Sequence, residues 1–131
     1  MIVVDASALA AALTVSGDSA AAMRRRLGEE DLHVPHLLDV EVMSAIRRLS
    51  AAQELDARAG DAAVERLRRW PLNRHSHVPL LARVHALRSA LTSYDATYIA
   101  LAEALAAPLV TCDGRLARSR SHRASIEHHT L

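Results

Sequence analysis

Lysine and phenylalanine are both missing from these 131 residues, cysteine occurs once, and one tryptophan and two tyrosines complete the aromatic set. Each shortage removes a class of explanation. A single thiol closes no internal disulfide and offers no paired thiolates for a zinc knuckle. Without lysine, a phosphatase working through an aspartyl phosphate, or a phosphoacceptor domain, lacks the ammonium that steadies its phosphoryl group. So few aromatics leave no stacking platform of the kind that single-strand-binding folds use. The four glycines are scattered, so no glycine-rich loop cradles a nucleotide. No apolar run is long enough to span a bilayer, and no basic segment leads into a long apolar one at the start. A soluble, cytoplasmic protein is the expectation.

What is present is a chain half apolar, whose core must be built from Leu, Val, Ile and Ala. Its length suits one domain, residues 1–131, able to bury a core without staples. Net charge is only +1, and all sixteen basic residues are arginine. Coding bias in a GC-rich genome accounts for an Ala- and Arg-rich composition, yet the guanidinium fork also suits phosphate. If several acids gather around a cation, the remaining surface is basic and fits a polyanionic substrate.

Short apolar runs alternate with helical periodicities. Strands are expected at 2–4, 32–34 and 109–112, with a possible edge strand in 125–129 and a possible short one in 70–78. Helices are expected from Ser7 to Leu13, from Asp18 or Ser19 to near Gly28, from His36 through the stripe Leu38, Val42, Ala45 and Leu49, and from Asp56 to Arg68. Two more follow: one from Pro79 to Leu91, and one capped by Thr92 or Ser93 that runs towards Pro108. This alternation indicates a three-layer α/β fold with a short, mainly parallel central sheet flanked by helices.

Four carboxylates stand out by placement. Ile2–Val4 runs directly into Asp5, and a charge at the end of a core strand is costly unless a helix terminus, hydrogen bonds or a cation compensates it. The stretch LVTCD repeats the pattern with Asp113. Strand C-termini of a parallel sheet share one edge, where open α/β folds place ligand sites. Asp5 and Asp113 are therefore expected to face one cleft. Thr111 shares the face of Asp113 on an extended strand and could orient a carboxylate or a metal-bound water. Ser7 could do the same, or cap the first helix.

Glu41 falls on the apolar stripe of its helix, whereas Asp39 lies about 160–200° around it and reads as a first-turn charge. Asp95 aligns with Tyr98, Ile99, Ala102 and Leu105 near the start of an otherwise apolar helix; its plainer role is to complement the macrodipole. Four carboxylates share a pocket only with protons or cations among them. Oxygen-only ligands select magnesium or manganese, which can hold a phosphodiester oxygen and acidify a bound water. Spacing leaves the number of ions open.

Asp5, Glu41, Asp95 and Asp113, taken with DASAL at the start and VTCD near the end, resemble the acidic signature of PIN-domain ribonucleases. SYDATYIALAEALAAPLVTCD and the small size are similar to the VapC toxins of bacterial toxin–antitoxin pairs, across essentially the whole chain. The resemblance implies that these four acids form a magnesium site, supported by the hydroxyls of Ser7 and Thr111. It also implies a homodimer, inhibition by a cognate VapB-like antitoxin, and cleavage of a structured RNA such as transfer or ribosomal RNA. One departure is visible: no further acid follows Asp113 before Glu127, which weakens the case for a second ion.

Two rivals remain beside this reading: a non-catalytic interaction module on the same fold, and a metal-dependent nuclease acting on DNA. A haloacid-dehalogenase phosphatase would need a second Asp where Ser7 stands. The eight histidines form no HExxH or comparable metal spacing. Cys112 and Trp70 read as packing residues. Arg115, Arg118 and Arg120, the basic residues nearest in sequence to Asp113, are the candidates for holding the RNA backbone.

Overall fold

A computed structural model describes all 131 residues. Its strands are β1 (Ile2–Val4), β2 (Leu32–Pro35), β3 (Leu72–His75), β4 (Leu109–Thr111) and β5 (Ile126–His128). They form one sheet in the order β3-β2-β1-β4-β5. Every neighbouring pair is parallel, so the sheet is wholly rather than mainly parallel. Val3 aligns with His33 of β2 on one side and Leu109 of β4 on the other. Central β1 is closed off from solvent along its whole length, as its unbroken apolar run requires.

The chain first winds from β1 outward through β2 to β3, then returns to the opposite side of β1 to add β4 and β5. Right-handed crossovers made in opposite directions place their helices on opposite faces. The helices sort accordingly. Helices α1 (Ala6–Thr14), α2 (Asp18–Gly28), α3 (Leu37–Ala51) and α4 (Ala57–Arg69) pack among themselves around α1. Helix α6 (Ser93–Leu105) lies against β1, β2 and β4 and packs with α5 (Leu81–Ala86). The short α7 (Gly114–Ala117) sits beside β4 and β5.

Local chemistry explains most boundaries. The cap of α1 is Asp5, whose carboxylate accepts from the Ala8 N–H, so Ser7 is not the cap. Helix α2 follows Gly17, whose φ of 100° favours glycine, and neither Asp18 nor Ser19 caps it through a side chain. Thr92 caps α6 by accepting from the Asp95 N–H, and the seven residues Ala96–Ala102 are all buried. Such a helix can only be a central one. On α3 the buried stripe is Leu38, Val42 and Ile46, while Ala45 is only partly covered.

The possible short strand within 70–78 is present as β3, an edge strand whose tertiary pairing overrides its polar composition. Two other expectations need correction. The helix expected from Pro79 to Leu91 is a 3-10 turn at Val78–Leu80 followed by α5, which ends at Ala86. Leu87 donates to both the Arg83 and Val84 carbonyls, and Arg88 then donates to His85, a three-residue bond that tightens and closes the helix. The strand expected at 109–112 stops at Thr111 as β4, and after Asp113 the chain forms the short α7.

The edge strand positions α3. Arg74 makes a forked ion pair with Asp39 at 2.7 and 2.9 Å. The Leu37 N–H, otherwise orphaned at the helix start, donates to His77 Nε2 at 2.9 Å, and His33 Nδ1 lies 2.8 Å from His75 Nε2. On the other side of the sheet, Glu103 of α6 takes both arms of Arg83 at 2.6 and 3.0 Å and the Arg123 N–H at 2.7 Å. These donors hold the Glu103 carboxyl down at about 2, against an ordinary 4.5.

A depressed carboxyl stabilises the fold above its unfolded value and loses that contribution as pH falls through its folded value. Glu103→Gln is therefore expected to lower stability at pH 7 by about 1–3 kcal/mol, since it disrupts the charged fork and weakens the bond to the Arg123 amide. The deficit against wild type should shrink between about pH 5 and 2. Urea melts of both proteins across that range check it; a pH-independent difference would contradict the ion-pair assignment.

Candidate active site

The reversal of strand order falls between β1 and β4, and a cleft of about 600 Å³ opens at the C-terminal edge of the sheet there. All four acids singled out in the sequence line it: Asp5 from the end of β1, Glu41 from α3, Asp95 from α6 and Asp113 from the end of β4. Ser7 and Arg115 also line it; Arg118 and Arg120 do not.

Asp5 is the most enclosed, with only 5% of its surface exposed. Its Oδ1 accepts from Ser7 Oγ at 2.7 Å and from the Ala8 amide at 3.0 Å, while Oδ2 accepts from Thr111 Oγ1. Both hydroxyls are themselves held by backbone. Ser7 Oγ accepts from the Cys112 N–H at 2.9 Å, and Thr111 Oγ1 accepts from the Asp113 N–H at 2.9 Å. Each hydroxyl has one proton and each points it at Asp5. The two oxygens, 3.3 Å apart, are thus orienters of one carboxylate rather than partners of each other.

The other three acids are less enclosed. Tyr98 donates its hydroxyl to Glu41 Oε1 at 2.8 Å. Asp113 caps α7, its Oδ1 accepting from Arg115 N–H at 2.8 Å and Leu116 N–H at 3.4 Å, which leaves Oδ2 without a protein partner. The backbone N–H of Asp95 donates to Thr92 Oγ1, and the Thr92 hydroxyl also eases the Asp95 carboxylate slightly.

Electrostatics set this edge apart. Burial raises the Asp5, Glu41 and Asp95 carboxyls above their ordinary values, and neighbouring acids push in the same direction: Asp113 on Asp5 and Asp95, Asp95 and Asp5 on Glu41. Arg115 offers little relief. It is 87% exposed and its Nε stands 4.0 Å from Asp113 Oδ1. Burial beside Asp5 pushes the Cys112 thiol up to about 11, so it is a packing residue and not a thiolate.

The donor chemistry fits a hard divalent cation. The lining supplies carboxylate and hydroxyl oxygens, with no histidine or cysteine among them. As placed, the side chains do not converge three at a time on one point. The set is open, and its acids carry like charges that a cation would relieve.

Sequence reading missed three features of the cleft. Tyr98 was placed only as a stripe residue, yet it orients Glu41. Tyr94 is 63% exposed at the cleft, so both tyrosines of an aromatic-poor chain line it. Arg48 lines it too, one heptad beyond Glu41, a spacing that signalled the shared face.

Residues 2–120 match the family model described as the PIN domain. Ribonuclease VapC12 of Mycobacterium tuberculosis is 45% identical over 97% of this chain and 98% of its own length. The chain belongs to the VapC family of PIN-domain ribonucleases. Among solved structures, PAE2754 from Pyrobaculum aerophilum superposes with a TM-score of 0.72 at 25% identity, covering 95% of this chain and 81% of that one. A toxin–antitoxin complex from Klebsiella pneumoniae shares the fold, with a TM-score of 0.67 at 17% identity over the full length of both chains. Within this VapC-family chain, the shared fold brings all four acids to the edge where the strand order reverses.

The neighbours Asp39 and Glu41 supply an internal control. Glu41→Gln removes a carboxylate that lines the cleft and is expected to cut RNA cleavage by at least about a hundredfold, the scale of a lost transition-state contact. Asp39→Asn breaks a half-exposed pair with Arg74 worth up to about 1 kcal/mol and should leave cleavage near wild type. Equal activities would show the helix phase to be irrelevant. Because raised carboxyls oppose folding in their ionised form, Glu41→Gln and Asp95→Asn should melt no lower than wild type at pH 7. Their advantage should fade as pH drops and the wild-type acids take up protons.

Proposed function

We propose that this chain, acting as a single nuclease domain over residues 1–131, is a magnesium-dependent endoribonuclease toxin that cuts structured cellular RNA and is neutralised by a cognate VapB-like antitoxin. One observation carries the chemistry: four carboxylates line a cleft at the sheet's reversal point, three of them with carboxyls raised by burial and by one another. Membership in the VapC family gives the reaction class.

Asp5, Glu41, Asp95 and Asp113 would hold magnesium, with manganese as a substitute. When bound, that ion supplies charge neutralisation at the phosphodiester and a water acidic enough to act as nucleophile. The chain's own part is placement. Ser7 and Thr111 spend their only protons on Asp5 and hold its two oxygens in one orientation. Tyr98 fixes one oxygen of Glu41, and the α7 amides fix one oxygen of Asp113. Rotamer freedom is thereby removed from three acids before substrate arrives.

Inhibition and assembly follow the family reading. The lip of the cleft carries the apolar side chains of Val40 (69% exposed) and Tyr94 (63% exposed), which suit a protein partner that covers the acids. A homodimer and a transfer- or ribosomal-RNA target belong to the same proposal. No helix is long and apolar enough to cross a membrane, in keeping with action on RNA in the cytoplasm.

Incubation of the purified chain with transfer and ribosomal RNA tests the reaction. Cleavage should vanish in excess chelator, return with magnesium or manganese, and disappear when a cognate VapB-like antitoxin co-purifies with the chain. Sedimentation should report a dimer at micromolar concentration. Full cleavage in chelator would overturn the metal assignment. Cleavage of DNA but not RNA would transfer the site to a DNA nuclease, and inertness towards both would leave a binding module.

A further inference from the structure

Of the sixteen arginines only Arg48 and Arg115 line the acidic cleft, one on the α3 side and the other on the α7 side. Five others are committed to acids elsewhere: Arg26 to Glu127, Arg74 to Asp39, Arg83 to Glu103, and Arg68 and Arg69 to Glu65. Arg48 makes no side-chain hydrogen bond or ion pair, and it neutralises none of the acids. The Glu41 carboxyl is raised by burial and by Asp95 and Asp5, with no cation beside it.

The geometry of α3 gives Arg48 its reach. Glu41 and Arg48 are seven residues apart, two turns along one helical face, with an axial rise of about 10 Å. Between them on that face lie Ser44 and Ala45, both lining the cleft and both small. The helix thus presents two adjacent stripes: Leu38, Val42 and Ile46 to the core, and Glu41, Ser44, Ala45 and Arg48 to the cleft. Small residues leave room along the second stripe for a polymer backbone, and the guanidinium closes its far end.

We propose that Arg48 is a substrate-binding residue that grips a phosphate neighbouring the one attacked, and that Arg48 and Arg115 together fix the path of the RNA backbone across the four acids. This rests on the ribonuclease reading above. It narrows the candidates drawn from sequence, because Arg118 and Arg120 stand outside the cleft. The plainer role for Arg48 is a cation in the last turn of α3 that complements the helix dipole. The two roles separate experimentally.

Binding of fluorescently labelled, unfractionated transfer RNA to the full chain, in a Glu41→Gln background that keeps it uncut, is titrated over a salt series. Arg48→Gln and Arg115→Gln should each reduce the slope of log affinity against log salt by about 0.7–0.9, and the double variant by about twice that. Arg47→Gln, adjacent but outside the cleft, should leave the slope unchanged. In the otherwise wild-type enzyme, Arg48→Gln should raise KM several-fold with kcat nearly constant, and Arg48→Lys should recover most of the loss. A melting temperature that falls with Arg48→Gln while slope and KM match Arg47→Gln would overturn the clamp and leave the nuclease reading intact. Absence of RNA binding and cleavage by the wild-type chain would overturn both.

Discussion

The buried carboxylate of Asp5 ties the molecule together. It terminates the central strand, caps the helix that follows, and receives the hydroxyl protons of Ser7 and Thr111, which are anchored by amides at the end of β4. Burying such a group costs several kcal/mol unless it is fully hydrogen-bonded. Three bonds, two from the start of α1 and one from the end of β4, offset part of that cost and, in the same stroke, lock β1 to β4 at the point where the sheet reverses. Stability and site geometry therefore share one knot of atoms.

Around that knot, topology concentrates like charge. A parallel sheet puts strand C-termini and helix N-termini on one edge. There the acids at the ends of β1 and β4 meet Asp95 in the first turn of α6 and Glu41 in the second turn of α3. Helix starts tolerate a carboxylate well, and this softens the repulsion without removing it. The residual strain appears as raised carboxyls on Asp5, Glu41 and Asp95. A site with such excess negative charge is poised to gain from a cation, which is the property a metal-dependent phosphodiesterase needs.

The arginines follow the opposite logic. Five are paired with glutamate or aspartate away from the cleft, where, apart from the fork of Arg83 on Glu103, such half-exposed pairs contribute little individually. Of the two at the cleft, Arg48 has no side-chain partner and the exposed Arg115 stands 4.0 Å from Asp113. A polyanion approaching this edge meets cations at the walls and carboxylates on the floor, an arrangement that favours a phosphate backbone carried over a bound metal. Helix α3 makes the arrangement compact, since adjacent stripes of one helix serve the core and the cleft.

The sequence by itself determined the parts governed by local periodicity. Apolar runs of three residues ending in Asp5 and just before Cys112–Asp113 announced core strands with charged ends, and the phase of Glu41 and Asp95 on their helices marked them as inward-facing. The alternation of strands and helices was sufficient for a parallel three-layer fold. Tertiary structure alone decided what depends on partners distant in the chain. Polar β3 is a strand because β2 offers its edge, and α5 ends early because its closing turn tightens into three-residue bonds. Asp5 rather than Ser7 caps α1 because Ser7 is recruited by the Cys112 amide, over a hundred residues away. Tyr98 and Arg48 acquired their roles the same way. Their neighbours in sequence describe a helix, but only the packing of α3 and α6 against one sheet edge brings a hydroxyl to Glu41 and a free guanidinium to the cleft. Periodicity fixes which face of an element a residue occupies; what that face meets is set by long-range packing.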